Sequence, residues 1–228
     1  MDNQIIIAID AMGGENAPSK NIEGISIFLK KNRNKKDFFF NIYGDETLLT
    51  KEIKKYKITT NLYKIFHCST VVSDEETPLT AIKNSKDSSM WNSINSQTIF
   101  NSNITLSAGN TGVLFVVSRM LLKTIDSVSK PALAGLWPNK KNMNVVLDLG
   151  ANVECDENNL VDFSEMGAAL YKALFPQDSP KVALLNIGSE QIKGTETLKK
   201  AYAKLKDLSK YGDFQFDGFI EGNKITSG

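Results

Sequence analysis

Four short segments of this 228-residue chain combine glycine with polar side chains in a way that can hold an anion. The first is Asp10-Ala11-Met12-Gly13-Gly14-Glu15-Asn16-Ala17-Pro18, where two adjacent glycines allow a tight turn that leaves backbone N–H groups free to face a negative charge. The second is Ser107-Ala108-Gly109-Asn110-Thr111-Gly112, a glycine turn opening an apolar helical stretch. Free N–H groups and the dipole of a helix start both favour negative charge there; simple capping by Asn110 or Thr111 is the plainer alternative. The third is Gly150-Ala151-Asn152-Val153-Glu154, with Asp148 just ahead of it. The fourth is Gly188-Ser189-Glu190-Gln191-Ile192-Lys193-Gly194-Thr195, in which two glycines bracket Lys193 and Thr195 can cap the next helix. A lysine so placed can reach a phosphate as a point charge; a solvated surface lysine is the usual alternative. Each segment alone fits a plain turn, and the four together make an anionic ligand the better reading.

Other chemistries are short of residues. His67 is the single histidine, so a His-rich zinc site cannot be built within one chain, and a four-ligand Cys-His cluster is short of ligands. A Ser-His-Asp triad would have to use His67, and no G-x-S-x-G elbow accompanies it; the residue reads as an end-of-strand polar group. The first loop is not G-x-G-x-x-G, so the dinucleotide fingerprint is absent. With 27 Lys+Arg against 26 Asp+Glu, the charge balance gives no case for nucleic acid. The lysine runs Lys30–Lys36, Lys51–Lys57 and Lys199–Lys210 read as solvated helix faces, with an acidic protein partner as the sharper alternative. Only Arg33 and Arg119 are arginines, a sign of composition bias rather than mechanism. Hydrophobic residues at 41% and charged residues at 23% are ordinary for a folded protein. No run of about 18 apolar residues codes a transmembrane helix. The start of the chain lacks a signal-peptide pattern, so a cytoplasmic protein with free thiols at Cys68 and Cys155 is expected.

The elements that must position these segments alternate between strand and helix. Apolar runs predict strands at Ile5–Asp10, Phe38–Tyr43, Leu62–His67, Asn103–Leu106, Val182–Asn186 and Phe214–Ile220. Helices are predicted over Asn21–Lys31, Glu46–Tyr56, Ser88–Asn95, Thr111–Thr124, Leu160–Leu174 and Thr195–Leu208, with a helix start at Pro78–Lys83. Ala132–Trp137 and Val145–Leu149 are joined by a link too short for a parallel crossover, which predicts an antiparallel hairpin. The result is a single α/β domain over residues 1–228: three layers, a mostly parallel sheet with helices on both faces, and one hairpin. Ligands in such folds sit beyond the carboxyl ends of the strands, where all four polar segments fall. A chain stopping just after a strand predicts a missing covering element at the C-terminus.

The motifs together resemble the PlsX-type phosphate acyltransferases of bacterial phospholipid synthesis. The matching stretches are Asp10–Pro18 (DAMGGENAP), Ser85–Met90 (SKDSSM), Ser107–Gly112 (SAGNTG), Pro131–Pro138 (PALAGLWP), Asp148–Glu154 (DLGANVE), Glu165–Ala168 (EMGA), Val182–Thr195 (VALLNIGSEQIKGT) and Gly218–Asn223 (GFIEGN). The family commonly has Asp where Glu15 stands and Arg where Lys83 and Lys130 stand. Family members also run well past the end of this chain, into a further Gly-rich segment and the surface associated with membrane contact.

The resemblance implies a fold similar to the isocitrate/isopropylmalate dehydrogenases and phosphotransacetylases. It also implies transfer of a fatty acyl group from acyl carrier protein to inorganic phosphate, a homodimer, peripheral membrane contact through the C-terminal part, and no metal or organic cofactor. Phosphate is already an oxyanion nucleophile, so placement matters more than deprotonation. On this reading Gly109, Asn110, Thr111 and Gly112 bind phosphate, with Asn110 and Lys193 as the catalytic residues, Lys193 neutralising charge. Asp10, Gly13, Gly14, Asp148, Asn152, Asn186 and Gly188 line the cleft, with Asn152 and Asn186 orienting the acyl thioester or its pantetheine arm. The rival readings are a coenzyme A-dependent short-chain phosphotransacylase and a non-catalytic or split remnant, with a nicotinamide dehydrogenase weaker still.

Overall fold

An unbroken apolar strand is stable only if both of its faces are covered. β1 (Ile5–Asp10) meets that condition at the centre of a parallel sheet. It pairs with β2 (Phe38–Gly44) on one side and β4 (Ile104–Ser107) on the other. β2 in turn pairs with β3 (Tyr63–His67), so the order is β3-β2-β1-β4. Alternation along the strands sends Ile7, Ile9, Phe40 and Ile42 into one core with Ile22 and Ile25 of α1 (Ser19–Lys31) and Leu49 and Ile53 of α2 (Glu46–Tyr56). The opposite face receives α3 (Ser89–Thr98), which contacts β1 and β2. Met90 and Ile94 of α3 pack with Val113 and Val117 of α4 (Thr111–Leu122) in a second core.

The structure, a computed structural model, describes residues 4–32, 37–73, 75–77, 80, 85–99 and 101–227. The helix start read at Pro78–Lys83, and Lys83 with it, lies outside the described residues apart from Thr80. The chain divides into two compact units, residues 1–123 and 124–228. The sheet and the first four helices make up the first unit.

In the second unit, β5 (Gly135–Pro138) and β6 (Met143–Val146) form the expected antiparallel hairpin. β7 (Lys181–Leu185) and β8 (Gln215–Ile220) form a parallel pair. α5 (Glu157–Leu174) and α6 (Glu196–Leu208) supply the helical cover, and Val161, Ala168, Leu184, Ala201, Leu205, Phe214 and Phe219 form its core. Both helices begin where their caps dictate. Asp156 and Asn159 make a reciprocal capping box for α5, and the Thr195 side chain accepts from Leu198 N–H to open α6.

The mostly parallel α/β class with one hairpin is therefore what the chain adopts. Most elements differ from the reading of the sequence by one to three residues at an end, α5 for example starting at Glu157 rather than Leu160. The hairpin strands are shorter and shifted; beyond them Leu149 N–H still donates to the Leu133 carbonyl, while Leu133 N–H is bound by the Asp148 side chain. α3 runs on to Thr98, past the expected end at Asn95.

Candidate functional site

The chain winds outward from β1 through β2 to β3, then returns to β4 on the far side of β1. That reversal is a topological switch point, and the crevice beyond the carboxyl ends of β1 and β4 is where such sheets bind ligands. The two loops that flank it are residues 11–18 and 108–110. They meet backbone to backbone. A Cβ placed on Gly13 would lie 2.8 Å from Gly109 N and 3.0 Å from Gly109 Cα. One placed on Gly14, whose φ is +90°, would lie 2.7 Å from the Ala108 carbonyl oxygen. Glycine is required at both positions by close approach, and at Gly14 also by the left-handed backbone. Asn21, from the first turn of α1, holds the β1 loop in place by donating to the carbonyls of Ala11 and Gly13.

Asp10 ends β1 directly opposite Ser107, the last residue of β4. Asp10 is 2% exposed. It accepts from Ser89 Oγ at 2.6 Å and from Ser107 Oγ at 2.7 Å. Ser107 Oγ in turn accepts from Gly109 N–H at 3.1 Å. Ser89 and Ser107 were not singled out by sequence reasoning. Their contacts to Asp10 span 79 and 97 residues, and only the strand register brings them together.

Asn110 is the cap of α4, its side chain accepting from Val113 N–H at 3.1 Å. Its amide group also donates to the Glu76 carbonyl at 3.0 Å, tying the helix start to the segment before α3. Of the first-turn donors of α4, Val113 N–H is thus taken by Asn110. Thr111 and Gly112 N–H, by their place in the helix, have no acceptor within it. Both residues are exposed, and the first turn carries no acidic side chain. The chemistry available at this point is anion binding by main-chain N–H groups.

The remaining sequence-derived residues lie in the second unit and form two clusters. Asp148 accepts from Leu133 N–H at 3.0 Å, Ala151 N–H at 3.2 Å, Asn152 N–H at 2.7 Å and the Asn152 amide at 2.9 Å. Partial burial pushes its carboxyl pKa up, but these hydrogen bonds together outweigh that and hold it below the ordinary aspartate value. The Asn152 amide also donates to the Pro131 carbonyl at 2.8 Å, so one of its hydrogens goes to Asp148 and the other ties the loop to the segment before the hairpin. Lys130 donates to the Glu154 carbonyl at 2.7 Å and braces the same loop.

In the other cluster Asn186, 8% exposed, donates to the Lys193 carbonyl at 3.0 Å and accepts from Ile187 N–H at 2.9 Å, closing the loop over residues 187–193. A Cβ on Gly194 would collide with that amide at 2.6 Å. Lys193 pairs with Glu190 at 3.0 Å, and its stem crosses directly over Gly188. The lysine holds the Glu190 carboxyl below its usual range through their hydrogen bond. Asp148, Asn152 and Asn186 are accordingly loop-holding residues, and Lys193 is the exposed cation of its cluster.

The single histidine ends β3, where its Nδ1 accepts from Glu46 N–H at 3.3 Å. Cys68 and Cys155 are free thiols, and burial pushes both above the ordinary thiol pKa, so neither is poised as a thiolate nucleophile. No helix among the described residues is long and apolar enough to cross a membrane.

Comparison with known proteins bears on the family and the fold. Residues 5–228 match the family model described as "Fatty acid synthesis protein". The whole chain is 49% identical to the phosphate acyltransferase of Pelagibacter ubique (strain HTCC1062), covering 67% of that protein. It is 36% identical to the phosphate acyltransferase of Caulobacter vibrioides, covering 62% of it. The chain thus spans under two thirds to about two thirds of the length of these curated relatives. Among solved structures, 96% of the chain superposes on a phosphotransacetylase from Streptococcus pyogenes with a TM-score of 0.69 at 13% identity, covering 68% of that protein. The EutD phosphotransacetylase from Staphylococcus aureus gives 0.67 at 14%, with 96% and 69% of the two chains covered. These likenesses establish the fold, and the sequence matches establish descent: the chain belongs to the fatty acid synthesis protein family, among the phosphate acyltransferases.

Proposed function

We propose that this chain carries the acyl-transfer machinery of a phosphate acyltransferase, making acyl phosphate from an acyl thioester of acyl carrier protein and inorganic phosphate. The observation that carries the reading is the exposed Thr111-Gly112 start of α4 at the β1/β4 switch point, in a chain of this family. Phosphate would sit against Thr111 and Gly112 N–H, within the segment formed by Gly109, Asn110, Thr111 and Gly112. One of its oxygens attacks the thioester carbonyl carbon and a tetrahedral oxyanion forms. Collapse breaks the C–S bond, and the thiolate leaves and takes a proton. No side-chain nucleophile enters, consistent with two thiols whose pKa values are raised.

Lys193 is proposed to neutralise charge that develops during transfer. For this its ion pair with Glu190 must open, and an exposed pair opens readily. Asp10, Gly13, Gly14, Asp148, Asn152, Asn186 and Gly188 shape the loops. Homodimer formation, a cytoplasmic location and peripheral contact with the inner membrane complete the proposal.

The test is acyl-phosphate formation by the 228-residue chain, supplied in parallel with acyl-acyl carrier protein and acyl-coenzyme A. Turnover with the carrier-protein donor supports the reading. Turnover with coenzyme A alone moves the chain to the phosphotransacetylases, whose fold it shares. Absence of turnover with either donor overturns the reading for this chain.

A further inference from the structure

We propose that Asp10 is a positioning residue for the phosphate turn, acting through the Ser107 hydroxyl. The inference rests on the phosphate reading above and adds the residues that set its geometry. Asp10 is nearly fully buried and, among the described residues, has no cationic partner. A buried carboxylate needs strong donors to offset its lost hydration. Here they are two serine hydroxyls, Ser89 at 2.6 Å and Ser107 at 2.7 Å.

A hydroxyl has one hydrogen and two lone pairs. Because the hydrogen of Ser107 goes to Asp10, its lone pairs are left for Gly109 N–H, which donates at 3.1 Å. The direction of the whole relay is set by Gly109 N–H, which can only donate: Ser107 Oγ accepts there, and its hydrogen is left for Asp10. The relay consumes Gly109 N–H, so the turn presents Thr111 and Gly112 N–H rather than Gly109 N–H to a ligand. It also fixes the one residue between β4 and the cap of α4 that Gly13 presses against.

Ser89 does a second job. It is the first residue of α3, next to the cap Ser88, so the same carboxylate ties the start of α3 to the ends of β1 and β4. Neither serine is free to act as a nucleophile toward the acyl group, because each hydroxyl proton is committed to a buried acceptor.

Two shape-matched substitutions separate positioning from bulk. Ser107→Thr keeps the hydroxyl and Ser107→Val removes it at nearly constant volume, both with strand-forming side chains. Amide NMR on the whole 228-residue chain, titrated with inorganic phosphate, gives the readouts. We expect Thr111 and Gly112 amides to shift on titration in the parent and in Ser107→Thr. We expect about tenfold or weaker phosphate affinity in Ser107→Val, with faster solvent exchange of the Gly109 amide. Ser107→Ala serves as a smaller-volume check on the Val result and is expected to match it.

Parent-like affinity and unchanged Gly109 exchange in Ser107→Val and Ser107→Ala would overturn the relay while leaving the phosphate site intact. A parent chain whose Thr111 and Gly112 amides do not respond to phosphate would instead overturn the underlying phosphate reading, and the relay with it.

Discussion

Adding one methyl group at Gly13 and one at Gly24 should move stability in opposite directions. At Gly13 the new Cβ would lie 2.6 Å from Asp10 Oδ2, 2.8 Å from Gly109 N and 3.0 Å from Gly109 Cα, against ordinary contact at 3.4–4 Å. Nothing there can swing aside: two of the three atoms are backbone, and the third is a carboxylate oxygen already held by Ser107. The β1 and β4 loops must part by several tenths of an ångström. Overpacking of this kind costs about 1–3 kcal/mol, and stretching the hydrogen bonds to Asp10 adds to it, each being worth about 1.5–3 kcal/mol when intact. A total of about 2–4 kcal/mol follows, or roughly 5–15 °C in melting temperature for a chain of this size. Gly24, on the exposed side of α1, has no atom within 4 Å of the place its methyl would take, so Gly24→Ala should stabilise by about 0.5–1 kcal/mol through helix propensity alone. Urea unfolding followed by far-ultraviolet circular dichroism measures both. A Gly13→Ala chain within about 0.5 kcal/mol of the parent would refute the close contact between the two loops that frame the crevice.

Asp148→Asn should cost about 1–3 kcal/mol, since a charged acceptor of four hydrogen bonds is replaced by a neutral one. Because the folded carboxyl sits below its ordinary value, its contribution is fully present above about pH 4 and is lost as pH falls through the lowered folded value. The parent should therefore lose stability on acidification in that window, and the variant's unfolding midpoint should fall less steeply there. Asn110→Ala removes the α4 cap, which should cost about 1 kcal/mol by thermal unfolding and raise the phosphate KM in the transfer assay. Lys193→Ala should cut acyl-phosphate turnover by about 10²–10³ with little change in melting temperature, its only charged partner among the described residues being an exposed glutamate.

Strand and helix positions in the first unit were legible because each is a local pattern. The apolar run Ile5–Asp10 and the capped helix Glu46–Tyr56 are found where hydrophobicity and turn residues place them. The hairpin bounds were less legible, since Leu133 and Leu149 look like strand residues and do share one backbone hydrogen bond, yet Leu133 N–H turns to the Asp148 side chain, a contact across 15 residues. The site residues divide in the same way. Gly13, Gly14, Gly109 and Asn110 carry a turn signature that can be read from neighbours in sequence. Ser89 and Ser107 lie in motif stretches, but their bonds to Asp10 appear only when parallel pairing sets Asp10 opposite Ser107. Asn152 and Asn186 donate their amides to the Pro131 and Lys193 carbonyls, contacts that no local pattern of the sequence announces.

The glycine-to-glycine contact between the β1 and β4 loops has a further consequence, for how the sequence can drift. Only two of the 27 basic residues are arginine, the mark of a chain whose side-chain choice follows composition pressure. Main-chain N–H groups are immune to that pressure: every residue except proline supplies the same donor. A ligand cradle made of backbone can therefore persist while exposed side chains around it are exchanged freely. The vulnerable positions are those where any Cβ at all would wedge the loops apart, and they concentrate the sequence constraint of this contact into Gly13 and Gly14.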